Sequence, residues 1–474
     1  MRGLVALAVA LLLPATAAAG SAGAGVPEVG GAGAGAASDD ARGLFYNPAA
    51  SVGANGSQVT FDLGVNILAI HYQRAGLNPR GGAPFPGADS FDLAPTPYLA
   101  IRSDNFGRRE KYRRAGRDES RLGLGFTIAA PFGRRVFPKS EYPGRYHLGK
   151  LDYFTVYAIP SIAFRVMPGW RIGAGPILAI SQYTLTQRLD LAPELQKISP
   201  SNPPPPRESG LLEGQIEVNA ARAIEPAFSL GTMVDLGDGV ATIGAGFLSG
   251  SISNAVGRSK VTPSLDFNVH SKADFKLTRA LPPIVNLGAR IRPPETPVEI
   301  SIEGQWVGWH VVREDLITLK NSQIYADDAD LQNLLSALNI NQGQLVGSIL
   351  DKKEPVARHW QDSVNLILGA EYKWAPMRSR FEIGYDKSAI PDKNVNPGAL
   401  DFDTLILGAS TTWEPKEKPF SASLAISQYL NQGRTITNSK FDTYSTERGY
   451  AYPSGNGTYS AVLTQVRVAF GFRF

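Results

Sequence analysis

The sequence predicts an all-β protein, a transmembrane antiparallel β-barrel of about fourteen strands. Three observations predict it: a long C-terminal segment of period two, further alternating segments along the chain, and connections that are short and long by turns. From Val462 onward, Val462, Thr464, Val466, Val468, Phe470, Phe472 and Phe474 form one face, and Leu463, Gln465, Arg467, Ala469, Gly471 and Arg473 form the other. The first face is apolar and ends in three aromatic rings. The second carries charge and small residues, the division that lipid outside and a lumen inside require.

Alternation and turn residues give candidate strands near 57–74, 92–103, 121–138, 151–166, 170–188, 222–236, 239–256, 270–292, 298–319, 360–374, 379–388, 401–414, 420–433 and 457–474. Tight turns are expected at Met167-Pro168-Gly169, Gly237-Asp238-Gly239, Pro293 to Pro297, Ala375-Pro376-Met377 and Pro415 to Pro419. Long polar stretches lie near 75–91, 139–150, 189–221, 257–269, 320–358, 389–400 and 434–456. If the last strand ends in the periplasm, the short turns lie on that side and the long loops face outward. The basic run from Arg102 to Arg121 is then a long periplasmic connection. Within the long loops, Pro203 to Pro206 predicts a stiff polyproline piece. Leu331, Leu334, Leu335, Leu338 and Leu345 predict a loop helix whose apolar stripe either packs on the rim or forms an external groove. A Phe closing the last strand resembles the assembly signal of outer-membrane barrels and implies barrel-assembly machinery as a partner.

Export is read from the start of the chain. Arg2 precedes an uncharged apolar run, Leu4 to Leu13, followed by small residues and Ala17-Ala18-Ala19, so residues 1–19 read as a cleaved signal peptide and the mature chain as beginning near Gly20. No later window holds the ~18 apolar residues of a membrane-spanning helix. The chain has no cysteine, which excludes disulfide staples and thiolate metal sites. Its formal charge of +4 is small for 474 residues and gives no argument for nucleic acid. The five histidines, His71, His147, His270, His310 and His359, sit in no Ser/His/acid pattern, so nothing points to an enzyme; no cofactor or metal is expected.

Gly20 to Ala37 is nearly all Gly, Ala and Ser, with no period that could bury a face. Such a tract is either disordered or packed inside something. Next comes Asp39-Asp40-Ala41-Arg42-Gly43-Leu44-Phe45-Tyr46-Asn47-Pro48-Ala49, which resembles the hatch signature of the FadL/TodX family of outer-membrane hydrocarbon and fatty acid transporters. Leu281-Pro282-Pro283, Gly304-Gln305-Trp306-Val307-Gly308-Trp309 and Glu314-Asp315-Leu316 resemble the family's eighth and ninth strands. His359-Trp360-Gln361-Asp362, Leu368-Gly369-Ala370-Glu371-Tyr372 and the stretch from Gly384 to Asp392 follow in the family's order, and Gly457-Thr458-Tyr459-Ser460 opens the last strand. Loops 189–221 and 320–358 match poorly.

The resemblance implies residues 20–56 as an N-terminal hatch plugging the lumen, with Phe45, Tyr46, Asn47, Pro48 and Ala49 at its centre, and 57–474 as the barrel. It implies a third strand kinked inward, here at Pro131-Phe132-Gly133, where a missing N–H and a relaxed backbone undo strand pairing and open a lateral gap. By position in the family pattern, Arg188 and Arg358 are candidates for a ligand head group. The implied function is passive transfer of long-chain fatty acids or similar hydrophobic small molecules into outer-membrane lipid, by a monomer. A porin, a structural barrel without lipid transport, and a surface adhesin remain alternatives.

Overall fold

The computed structural model describes residues 35–53, 56–78, 82–106, 120–136, 142–190, 192, 208, 213–237, 239–263, 269–338, 341–344, 351, 353–416, 418–442, 444–445, 450–451 and 455–474. The expected signal peptide, most of the basic run and the run of prolines lie outside the described residues.

One antiparallel sheet of nineteen segments closes on itself. The first six staves are β1 (Ser57–Arg74), β2 (Ala88–Phe106), β3 (Leu122–Val136), β4 (Lys150–Met167), β5 (Trp170–Asp190) and β6 (Glu213–Leu236). Next come β7 (Ala241–Leu248 and Ser251–Pro263), β8 (His270–Leu281 and Ile284–Ile291), β9 (Val298–Val307 and Glu314–Tyr325) and β10 (Lys353–Ala357 and Ser363–Trp374). The circuit ends with β11 (Met377–Asp386), β12 (Thr404–Trp413), β13 (Phe420–Asn431 and Arg434–Ile436) and β14 (Gly457–Arg473). β14 pairs with both β13 and β1, its last residues against Gln58, so the seam has no free edge.

The expected number of about fourteen strands is met by fourteen staves, five of which are each two collinear pieces, so that the sheet has nineteen segments. Four of the interruptions adjoin. Ser249-Gly250 of β7 lies beside Pro282-Pro283 of β8, since Ser251 is opposite Leu281. Gly308 of β9 donates to the Pro283 carbonyl at 2.9 Å, and Arg358 before the lower part of β10 donates to the Arg313 carbonyl at 2.7 Å. Two successive prolines lack the N–H groups a ladder needs, and glycines at 250 and 308 let neighbouring chains close on Pro283.

Side chains are sorted as in a membrane barrel. Phe381, Ile224, Ile252 and Leu287 are exposed on the outer surface, whereas Glu299, Ser301, Glu303 and Gln305 alternate with Ile300 and Ile302 on β9 and are buried inside. Tight turns gather at the end where Ser57 and Phe474 exchange backbone hydrogen bonds of 3.1 and 2.9 Å; long connections gather at the other. No described helix is long and apolar enough to cross a membrane. The loop helix α1 spans Asp328–Leu338, and its Leu331 and Leu335 pack with Phe275 and Leu319, so the stripe rests on the rim.

Candidate functional site

The lumen is occupied in two halves of different chemistry. Toward the turn end, residues 35–53 lie buried among the inner faces of the strands. Their chain is short 3-10 turns, Ala41–Phe45 and Pro48–Ser51, each opened by a side-chain cap: Asp40 accepts from the Arg42 N–H and Asn47 from the Ala49 N–H. Pro48 follows Asn47 at the first helical position, where a missing N–H does no harm. Asn47 also donates to the carbonyls of Ala36, at 2.7 Å, and of Thr232 on β6, at 2.8 Å. The Tyr46 carbonyl accepts from Asn286 of β8, and the Phe45 and Tyr46 rings meet edge to face at 5.2 Å.

Two features of the wall receive this segment. Glycines replace side chains where its backbone touches: a Cβ at Gly246 or Gly231 would run into the Tyr46 carbonyl or the Asn47 side chain, and at Gly173 it would lie 2.5 Å from the Ala49 nitrogen and the Pro48 carbonyl carbon. Arginines then clasp it. Arg171 binds Asp39 at 3.0 Å, the Val52 carbonyl at 3.1 Å and Asp235 at 2.9 Å; Arg292 binds Asp39 at 3.3 Å; Arg102 donates to the carbonyls of Ala50, at 2.9 Å, and Asp39. Glu303 accepts from the Ala36 N–H at 3.0 Å. Burial opposes the Asp39 charge, but Arg171, Arg292 and Arg102 outweigh it and hold the carboxyl below its ordinary value. Asp40 is likewise buried yet held well below by Arg42 and Arg378.

Toward the loop end the lumen holds an apolar cavity of about 180 Å³. For scale, a dry cavity of roughly 150 Å³ takes benzene, so there is room for one aromatic ring or a stretch of alkyl chain. Phe132 and Gly133 line it on one side, Leu277 and Leu281 on another, and Trp309 and Trp360 come from the interruptions of β9 and β10. Trp309 meets Phe132 at 5.7 Å and Trp360 at 5.1 Å, edge to face in both cases. One end is ionic. Asp315, buried, accepts from Arg358 at 2.7 Å and from Arg279 at 2.6 Å, and Arg279 also faces the stacked rings of Tyr153 and Tyr183. Two guanidiniums share one carboxylate, leaving this end cationic.

The wall beside the cavity is not continuous. β1 pairs with β2 as far as Tyr72 opposite Ala88, but β2 pairs with β3 only from Phe106 to Leu99, opposite Ile128. Beyond that point β3 carries an extra residue against β4, between Ala129 and Phe132, and alternation stops: Ala129, Ala130, Pro131, Phe132 and Gly133 are all buried. Phe132 and Gly133, successive residues, both line the cavity. Pro95 and Pro97 remove two donors from one edge of β2, and unbroken pairing to β1 makes it the edge facing β3.

Of the residues singled out from sequence, Phe45 to Ala49 lie together in the inner segment, while Phe132, Gly133 and Arg358 meet at the cavity. Arg188 does not line it; its neighbour Gln187 does, because successive residues of β5 face opposite ways. Sequence reasoning missed Arg279, Asp315, the clasping arginines and the glycine wall. The signal was present as charges and glycines in the inward phase of apolar strands, such as Gly288, Arg290 and Asn286 on β8.

The profile of the family described as outer membrane protein transport protein (OMPP1/FadL/TodX) matches residues 4–472. Among solved structures, a Pseudomonas aeruginosa FadL homologue is similar with TM-score 0.73 and 15% identity, over 98% of this chain and 100% of that one. The P. putida toluene transporter TodX gives 0.63 and 14%, over 97% and 99%. The Ralstonia pickettii toluene transporter TbuX gives 0.59 and 15%, over 96% and 98%. No curated protein matches the sequence at significant similarity. At these identities the structures show the fold, and the profile shows the family. The chain belongs to the OMPP1/FadL/TodX family: it is an outer-membrane β-barrel transporter of hydrophobic compounds.

Proposed function

We propose that this protein passes long-chain fatty acids, or hydrophobic compounds of similar shape with an acidic head, from its loop-end cavity sideways into the bilayer through the gap between β2 and β3. The observation that carries the reading is that the cavity reaches Phe132 and Gly133, beyond Ile128, the last residue of β3 that pairs with β2. Burying a methylene is worth about 0.8 kcal/mol, so the stretch of alkyl chain that the cavity holds gains about as much per methylene there as in the membrane core. Moving between the two is nearly neutral and needs no energy source. The barrier lies at the polar outer leaflet, which a lateral exit bypasses.

Arg279 and Arg358 give the carboxylate its partner, since a buried anion needs charge-assisted hydrogen bonds. Residues Phe45 to Ala49 serve as the hatch that closes the periplasmic half, with ligand favouring a hatch and kink arrangement that joins cavity to gap. One chain closes the barrel, which supports a monomer as the working unit. The size of the cavity favours a second cargo, a single-ring hydrocarbon, in keeping with the toluene transporters of similar fold.

The test is Pro131→Val with Gly133→Val and, on the facing strand, Pro95→Val with Pro97→Val, restoring β propensity and the missing N–H donors on both sides so that β3 can pair along β2. Uptake of labelled oleate by cells is expected to fall more than tenfold while oleate still binds the purified barrel. Undiminished uptake with a folded variant sinks lateral transfer; uptake of toluene but never oleate assigns the second cargo.

A further inference from the structure

The outer surface changes character in one sector, directly above its apolar belt. Outward residues of β7 run from Ile243 through Ile252 and Val256 to Arg258 and Lys260; those of β8 run from Ile291 and Leu287 to Lys276 and Lys272. Register sets these cations side by side. Lys260 is opposite Lys272 and Val256 opposite Lys276. Lys276 is opposite Thr318 of β9, with Lys320 next outward, and Lys353 of β10 is opposite Thr318 on its other side. Six cations therefore share four neighbouring strands. Among the described residues, carboxylates also stand with them: Asp274, opposite Arg258 and Lys320, Glu217, opposite Lys260, and Asp351, which accepts from the Ser322 N–H beside Lys320. The outward loop-end positions of other strands are mixed or neutral: Lys150 stands with Asp152 on β4 beside Thr184 and Thr186 of β5, His71 is paired with Asp89 between β1 and β2, and β13 has Gln428 and Leu430.

Lys260 and Lys272 are the telling pair, because like charges directly opposite across a ladder destabilise it. Lys272 is moreover fixed, its ammonium 4.7 Å from the centre of the Tyr325 ring, on which His270 stacks at 5.2 Å. A cluster of lysines that repel one another, held at the top of a lipid-facing belt, is complementary to an anion presented by the membrane at that height.

We propose that this sector binds a multiply phosphorylated glycolipid headgroup of the outer leaflet, with Arg258, Lys260, Lys272, Lys276, Lys320 and Lys353 around its phosphates. The site is separate from the transport path, since these side chains leave the opposite face of the strands that line the cavity.

The experiment uses the full-length barrel in neutral detergent, titrated with bisphosphoryl lipid A and read by native mass spectrometry. Lys260→Gln/Lys272→Gln/Lys320→Gln is expected to lower lipid A affinity roughly a hundredfold, the worth of three near-surface lysines, with oleate binding unchanged. Dephosphorylated lipid A should bind the unaltered protein as weakly as the variant binds the phosphorylated form. Equal affinity of variant and unaltered protein, or of the two lipids, overturns the proposal, as does displacement of lipid A by inorganic phosphate at equal concentration. Should the triple variant not fold, Lys272→Gln alone decides: lipid A is expected to raise the thermal midpoint of the unaltered protein more than that of the variant, and equal rises overturn the proposal.

Discussion

The two halves of the lumen solve opposite problems. The turn-end half is filled by main chain: its wall is glycine where the inner segment touches, and Asn47, Asp39 and Ala36 of that segment meet a carbonyl, a guanidinium and a carboxylate of the strands. The loop-end half keeps a cavity between rings, under staves that are interrupted at Pro282-Pro283, at Gly308 to Arg313 and before Ser363. Directional, short-range bonds define one arrangement, whereas apolar contacts around broken strands tolerate several. The first half is fixed by many directional bonds; the second leaves space between its rings.

The largest expected departure comes from the wall of the closed half. Gly246→Val places a side chain against the Tyr46 carbonyl and should displace the inner segment, raising protease cleavage within residues 35–53 and the permeability of liposomes to small sugars. A folded Gly246→Val barrel with neither change would mean that the segment does not seal the lumen. Next is Arg358→Gln in the open half. Losing one charged hydrogen bond, about 1.5–3 kcal/mol, should weaken oleate binding about ten- to hundredfold and leave toluene binding unaltered, as measured by calorimetry. A smaller effect follows from Asn47→Ala, which removes a cap and two donors while leaving the arginine clasp; about 1–2 kcal/mol of local stability should vanish, seen as faster amide exchange confined to residues 35–53.

The smallest effect is in pH, and there the halves run in opposite directions. Asp39 and Asp40 have folded-state pKa values below the ordinary 3.8, so their stabilisation is present above that value and is lost as pH falls below it through their lowered folded-state values. In the loop that caps the cavity, burial pushes the Asp401 carboxyl up to about 6, against the Ala389 N–H and Arg434. Its contribution is complete below 3.8 and is lost as pH rises through about 6. Amide exchange corrected for intrinsic rates should therefore show residues 35–53 loosening only in acid and residues 387–403 loosening between pH 4 and 7. Parallel behaviour of the two segments would erase the contrast.

The strands were legible because lipid and lumen impose a period of two: β1 and β5 begin where the alternation does, and β14 follows its rows of Val and Phe to the end. Beginnings were less legible where polarity masked the pattern. β6 starts at Glu213, well before Arg222, since Ile216 and Val218 face inward there and polar residues face out. The interruption at Pro282-Pro283 was written in its prolines, but its alignment with Gly250, Gly308 and Arg358 on other staves was not, because register between strands is a long-range property.

What the sequence determined by itself is the class of the fold and the family, since alternation, turn residues and an ordered set of motifs are local features of the chain. Tertiary structure alone decided that Arg358 meets Arg279 over Asp315, that Arg188 stays off the cavity, and that β2 and β3 part at Ile128. These depend on which residues of distant strands fall at one height and which face of the ladder they take. A shift of a single residue in register reverses both, and no local pattern records it.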